Sequence, residues 1–152
     1  MRRREFLGAC LAAGAPRAPA VPGSVLVHEH VIVDFIGADQ IAPGRYDAGE
    51  VFRVARSKLE ELRQFGCRRL IECTPNFIGR DARLLARLAD ATGLEIWTNT
   101  GLYGAANHKF VPAFARVEPA EQLARRWIAE ARNGVEGVKP RFIKTGVNKG
   151  PL

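Results

Sequence analysis

Two histidines separated by a single residue, His28 and His30, are the side chains of this sequence with the clearest potential for chemistry. They fall in a run of β-branched residues, 24–35, that predicts a buried strand leading into a loop. Because alternate side chains of a strand point to one face, both imidazoles should share a face and Glu29 should take the other. Two converging neutral imidazoles can start a metal site. Taken alone, the triplet also fits two structural histidines.

Lys144 is the second unusual residue. It stands between Ile143 and Thr145 in a segment that predicts a strand covered on both faces. A buried lysine needs a partner or a shifted pKa. Its amine could simply reach solvent at the strand end. Alternatively, a desolvated and partly neutral amine could bind carbon dioxide as a carbamate, which would supply anionic oxygen ligands able to bridge two cations.

The elements that must position these residues alternate along the chain between strand and helix periodicity. Strands are predicted at Ser24–His30, Arg69–Thr74, Leu94–Thr100 and Arg141–Thr145. Helices are predicted at Glu50–Phe65, from an Asp81 cap to Gly93, and from Pro119 in the first turn to Gly134. The connection from Gly101 to Val117 is predicted as a long loop, and loops of this length are often functional.

This order, β1-α1-β2-α2-β3-α3-β4, predicts a parallel sheet with helices on the outside, because right-handed crossovers place them there. Two architectures fit: a small doubly wound ligand-binding domain, or the first half of an eight-stranded barrel. A whole barrel needs about 250 residues, so half of one fits in about 130. The doubly wound alternative is disfavoured because no Gly-rich phosphate loop follows the first strand.

The first 20 residues predict a targeting segment. Arg3-Arg4-Glu5-Phe6-Leu7 matches the core of a twin-arginine export signal, and Ala18-Pro19-Ala20 offers a small-x-small cleavage site. We therefore expect a signal peptide at 1–20, one domain at 21–152 and a periplasmic or secreted location. A basic N-terminal tail is the alternative.

Charge and composition exclude several classes of protein. The formal charge is +7 among 152 residues, but residues 1–20 hold four Arg and one Glu, so the remainder has a mild surplus that needs no nucleic acid. No apolar run approaches the roughly 20 residues of a membrane-spanning helix, so no membrane is expected as a partner once the signal is removed. Cys67 and Cys73 are expected to be inert thiols, because a disulfide between them would bend a strand.

Four short segments, in order, resemble the phosphotriesterase family of the amidohydrolase superfamily. They are His28-Glu29-His30, Thr74 with Ile78-Gly79-Arg80-Asp81, Thr100-Gly101-Leu102-Tyr103, and Phe142-Ile143-Lys144-Thr145-Gly146. Each segment alone is a weak signal, whereas their joint order across residues 24–152 is specific. The resemblance implies the first half of a TIM (β/α)8 barrel with a metal centre at the carboxyl ends of its strands.

The resemblance also implies roles. His28 and His30 would ligate the more buried cation, and Lys144, carboxylated on its amine, would bridge two Zn²⁺ or other divalent ions. Tyr103 would lie near a bridging hydroxide that hydrolyses a lactone, carboxylic ester or phosphotriester; a rim aromatic is the alternative for it. Arg80 and Asp81 are interpreted as structural: Asp81 as a helix cap and Arg80 as its charge partner.

The sequence departs from the family pattern in one large respect. The family draws two further histidines and an aspartate from strands five, six and eight, and His108, the remaining histidine, matches none of those positions. We therefore expect a truncated hydrolase that is inactive alone and completed by a missing C-terminal half. A homo-oligomer of half barrels is conceivable, but it would repeat the set of two histidines and one lysine and would not supply the missing ligands. The alternative is a non-catalytic metal-binding remnant or half-barrel scaffold.

Overall fold

The computed structural model describes residues 22–148, and the predicted signal peptide lies outside them. The strands are β1 (Ser24–Glu29), β2 (Cys67–Glu72), β3 (Glu95–Trp97), β4 (Asn99–Thr100) and β5 (Phe142–Ile143). The helices are α1 (Ala48–Gln64), α2 (Ala82–Thr92), the short α3 (Phe114–Val117) and α4 (Ala120–Asn133). Each named strand pair is parallel, in the orders β1-β2-β3 and β4-β5. The predicted parallel α/β arrangement is therefore confirmed.

The helix ends follow local sequence signals. The Asp47 carboxylate accepts a hydrogen bond from the Glu50 N–H at 2.8 Å and caps α1. Asp81 does the same for α2, accepting from the Leu84 N–H at 2.8 Å, and Gly93 ends that helix with a left-handed φ of 66°. The predicted capping role of Asp81 is confirmed.

The hydrophobic core lies between α1, α2 and the sheet. Its buried members come from both helices, from β2 and from the residue preceding β3: Leu59, Cys67, Leu70, Leu84, Leu88 and Leu94. Cys67 and Cys73 are both buried and carry free thiols, as the sequence predicted. Among residues 22–148, no helix has the length and apolarity to cross a bilayer.

The predicted third strand, Leu94–Thr100, is divided at Thr98. Its first part, β3, pairs with β2, whereas its second part, β4, pairs with β5 on the other side. Staggered pairing of this kind accompanies strand tilt in a closing barrel. The division therefore arises from neighbouring strands and has no local sequence signal.

Two other predicted strands were longer than the observed ones, and one predicted loop contains a short helix. β1 ends at Glu29, so that His30 follows the strand and residues 31–35 are not part of it. β5 covers two residues of the predicted 141–145. The predicted loop 101–117 contains α3, whose four residues are too few to give a periodic signal.

The prediction that the first and last strands are buried on both faces was wrong. Val27 is 72% exposed and Ile143 is 60% exposed. Both side chains lie on strands whose outward neighbours are not supplied by the described part of the chain, since β1 and β5 are edge strands there. Lys144 is accordingly half-buried, although its strand was predicted to be covered on both faces.

Candidate metal centre

The two histidines lie side by side at the carboxyl end of β1. The centroids of the His28 and His30 rings are 5.3 Å apart, with the ring planes inclined at 55°. Both residues are solvent-exposed, whereas Glu29 between them is half-buried. Imidazoles in this arrangement can contact a common ion.

Lys144 reaches the same place from the other end of the chain. Its Nζ lies 3.3 Å from Nε2 of His28, although 116 residues separate them. The approach depends on the pairing of β4 with β5, in which Asn99 faces Phe142 and the Lys144 N–H donates to the Thr100 carbonyl at 2.7 Å. The structure thus brings together the three side chains for which the sequence predicts metal ligation.

Two glycines permit this close approach. A Cβ added to Gly101, which has a φ of 116°, would overlap the Lys144 carbonyl oxygen. A Cβ on Gly146 would overlap the Tyr103 ring. Both positions therefore require glycine, because the main chain or ring occupies the space of a side chain. They hold β5 against β4 and so set the position of Lys144.

Tyr103 lies beside this strand pair, next to Gly146 in an isolated parallel bridge. Its ring belongs to an aromatic cluster, with centroid distances of 6.3 Å to Phe35 and 5.8 Å to Phe110. Phe35 and Phe110 are themselves 5.2 Å apart. Tyr103 therefore lies in an aromatic wall. Its bridge partner, Gly146, follows Lys144 by two residues in the sequence. Its predicted role near the reacting group stays a prediction.

His30 is supported from behind by two buried polar residues, Glu72 and Thr74. Nδ1 of His30 lies 2.9 Å from Oγ1 of Thr74. Partial desolvation of the ring, followed by the nearby His28 and Lys144, lowers the pKa of His30, which favours the neutral ring that a metal requires. Burial raises the pKa of Glu72, and hydrogen bonds from Thr74 and the Val31 N–H oppose that rise.

Sequence reasoning missed Glu72 as a site residue. The signal was a single carboxylate among apolar neighbours, Leu70, Ile71 and Cys73, in a strand predicted to be buried. An acidic residue in that setting needs buried hydrogen-bond donors.

Arg80 has a different partner from the one predicted. Its guanidinium forms an ion pair with Glu130 on α4 at 3.1 Å and donates to the Asn99 carbonyl at 2.7 Å. Glu130 also accepts a hydrogen bond from the Thr100 hydroxyl at 2.7 Å. The interpretation of Arg80 as the charge partner of Asp81 was therefore wrong; it fastens α4 to the strand beneath the site.

The donor set fits one divalent cation better than two. Within residues 22–148, no group of three or more His, Cys, Asp or Glu side chains could hold a metal. Two imidazoles supply neutral nitrogen donors, and an uncharged or carboxylated Lys144 would complete the set. His108 has a left-handed φ of 60°, and its carbonyl oxygen accepts a hydrogen bond from the Arg116 guanidinium at 2.9 Å.

Parallel strands joined by helices, with nitrogen donors gathered beyond the strand ends, define an α/β class of protein with a candidate metal centre. The chain belongs to the phosphotriesterase family, whose sequence model matches residues 12–150.

Similar proteins support the assignment of the chain to this family. An aryldialkylphosphatase from Saccharolobus solfataricus is 27% identical over 129 residues, which are 84% of this chain and 40% of the relative. The phosphotriesterase homology protein from Escherichia coli, solved with phosphate in its active site, is 26% identical with a TM-score of 0.67 over 80% of this chain and 41% of that one.

A double mutant of an organophosphorus hydrolase from Deinococcus radiodurans is 27% identical, with a TM-score of 0.66 over 83% of this chain and 38% of that one. The chain thus spans about 40% of the length of these relatives. Its fold matches the first half of the phosphotriesterase barrel.

Proposed function

We propose that this chain provides the amino-terminal half of a metal-dependent hydrolase that cleaves phosphotriesters, lactones or carboxylic esters. The observation that carries the proposal is the meeting of Lys144 Nζ with His28 Nε2 at 3.3 Å, in a chain of the phosphotriesterase family. Membership of the family supports hydrolysis, and the nitrogen cluster supports the metal.

His28 and His30 would hold one divalent cation, Zn²⁺ being the ion that suits imidazole best among the common redox-inert ions. Lys144 would act as a carbamate: its amine nitrogen forms a bond to the carbon of CO₂, a proton leaves the nitrogen, and the negative charge lies on two oxygens. Two cations bound there would acidify a water molecule and polarise the ester oxygen. The described residues supply the bridge to a second cation but not that cation's other ligands.

The remaining site residues would act on the substrate and its access. Tyr103, with Phe35 and Phe110, offers an aromatic wall against which an apolar ester substituent can pack. Tyr103 also carries a hydroxyl that can donate a hydrogen bond to an oxygen near the site.

Further ligands would come from a C-terminal half, and alone this chain would be inactive. Residues 1–20, with their twin-arginine pattern, support export to the periplasm or exterior. The mild positive charge of the remaining residues requires no nucleic-acid partner.

A non-catalytic metal-binding protein is the second candidate, and it is favoured because the described residues gather only two imidazoles and one amine, which are donors enough for a single cation. Metal stoichiometry separates the two. We would purify the chain with zinc and bicarbonate, count zinc per chain, and assay a phosphotriester and a lactone with and without a supplied C-terminal half. Two zinc ions and turnover in the completed protein would support the hydrolase, and one zinc without turnover would support the second candidate.

The Lys144→Met variant tests the bridge directly. It should lose turnover of the completed protein and the second zinc, whereas Lys139→Met, at an exposed lysine, should leave both unchanged. Equal zinc content and activity in the two variants would refute the assignment of Lys144.

A further inference from the structure

Glu72 and Thr74 form a buried polar pair directly behind His30. Glu72 is 1% exposed and Thr74 is fully buried, although both are polar and flanked by apolar side chains. Burying a carboxylate is unfavourable unless donors surround it. The hydrogen bonds of the Glu72 carboxyl group therefore show which neighbours stabilise it in this buried position.

Both oxygens of Glu72 accept hydrogen bonds from the main chain. The Val31 N–H donates to Oε1 at 3.2 Å, and the Thr74 N–H donates to Oε2 at 3.1 Å. Each of these N–H groups is a fixed donor, so the oxygens facing them are acceptors. The carboxyl group is thus fixed between the end of β2 and the segment that follows His30.

The Thr74 hydroxyl joins this carboxyl group to His30. Its oxygen lies 2.5 Å from Glu72 Oε1, 3.1 Å from the Ile32 carbonyl and 2.9 Å from His30 Nδ1. A hydroxyl has one proton to donate. The Ile32 carbonyl and Glu72 Oε1 both face the hydroxyl as acceptors, so Thr74 donates its proton to one of them and has a lone pair left to accept a hydrogen bond from His30 Nδ1–H.

We propose that Glu72 and Thr74 are positioning residues that hold His30 in its Nδ1–H tautomer, leaving Nε2 unprotonated and facing away from Thr74 as the ligand atom. The hydrogen bond on one ring nitrogen sets the state of the other. Ligating histidines commonly donate their second N–H to such a partner, which also fixes the ring plane. This inference rests on the proposed function, since ligation by His30 is part of it.

The tautomer can be measured on the metal-free full chain by long-range ¹H–¹⁵N correlation spectra of the histidine rings. The wild-type chain should show His30 as Nδ1–H. Thr74→Val removes the acceptor with little change of volume and should let the Nε2–H form appear. Thr74→Ser keeps the hydroxyl and should restore the wild-type spectrum. Thr98→Val is the matched control and should leave His30 unchanged, because Thr98 lies between β3 and β4 and its buried hydroxyl has no hydrogen-bond partner among the described residues.

Zinc affinity, measured by competition with a chelating dye, provides the second readout. Loss of such a supporting partner weakens metal binding by about 10–100-fold. Thr74→Val and Glu72→Gln should therefore lose zinc affinity in this range, whereas Thr74→Ser and Thr98→Val should stay within about twofold.

The outcomes separate this inference from the proposed function. His30 as Nε2–H in the wild-type chain, or an unchanged tautomer and zinc affinity in Thr74→Val, would overturn the positioning role even if zinc binds. A wild-type chain that shows the Nδ1–H tautomer but binds no zinc would overturn the proposed function and leave the positioning of His30 intact. If Thr74→Val does not fold, the wild-type spectrum and Glu72→Gln still decide the question.

Discussion

Single side chains determine whether the site exists, and the contact between Lys144 and His28 is the most informative evidence for it. Its members were identifiable from the sequence because the unusual residue types, an H-x-H triplet and a strand lysine, were visible without coordinates. Their hydrogen-bond partners were not. Thr74 contacts His30 from 44 positions away, and Glu72 accepts a hydrogen bond from the Val31 N–H from 41 positions away, so both partnerships depend on the register of β1 with β2.

At the residue scale, we predict that Gly101→Ala destabilises the fold and displaces Lys144. The left-handed backbone costs about 1–2 kcal/mol for a non-glycine residue, and overlap with the Lys144 carbonyl adds about 1–3 kcal/mol. Urea unfolding should show the sum, with zinc affinity falling in parallel.

Gly137→Ala is the matched control. Gly137 also has a positive φ, of 86°, but a Cβ there meets no atom of residues 22–148 within 4 Å. The Gly137→Ala variant should therefore lose only the backbone contribution to the free energy of unfolding, about 1–2 kcal/mol, and retain zinc binding. Equal losses in the two variants would show that close packing against Lys144 is unimportant.

The secondary-structure elements were predictable where the signals are local. The boundaries of α2 follow from Asp81 and Gly93, which act within one helical turn. The division of one predicted strand into β3 and β4 was not predictable, because it depends on which neighbour each part pairs with. The partner of Arg80 was missed for the same reason: Glu130 is 50 residues away on α4.

At the element scale, Glu130→Ala should loosen α4 from the sheet. It leaves the buried Arg80 guanidinium without its charge partner, and breaking a buried pair costs about 3–5 kcal/mol. Because Glu130 is itself partly exposed, we expect the lower end of that range in urea unfolding.

Glu60→Ala serves for comparison, since Glu60 pairs with Arg56 at 2.7 Å on the exposed face of α1. Its loss should be below about 1 kcal/mol. If both variants lose the same small amount, the Arg80–Glu130 pair does not fasten α4.

A second element-scale prediction concerns the start of α4. The hydrogen bond from Arg126 lowers the pKa of Glu118 from its ordinary value of 4.5. A carboxyl group whose pKa falls on folding stabilises the fold above pH 4.5, and that contribution is lost as the pH falls through the folded-state pKa.

Thermal unfolding should therefore show Glu118→Gln below the wild-type chain at about pH 7, with the gap closing as the pH falls below 4.5. A gap that widens in acid would contradict the assigned direction of the pKa shift.

At the scale of the whole molecule, the order of strands and helices was predictable, whereas the burial of the strands was not. Alternating periodicity predicts a parallel α/β sheet, and the structure confirms it. Exposed Val27 and Ile143 show that apolar strand composition alone does not establish coverage, since coverage depends on neighbouring strands. The chain spans about 40% of its relatives' length, and within the described residues β1 and β5 are edge strands.

The most direct measurement is a crystal structure of the chain grown with zinc and bicarbonate, with anomalous differences recorded at the zinc edge. A metal centre made by His28, His30 and Lys144 predicts an anomalous peak about 2.0–2.1 Å from Nε2 of both histidines, with additional density on the Lys144 amine. A peak elsewhere, or none with the three side chains ordered and apart, would contradict the metal site and with it the proposed hydrolase.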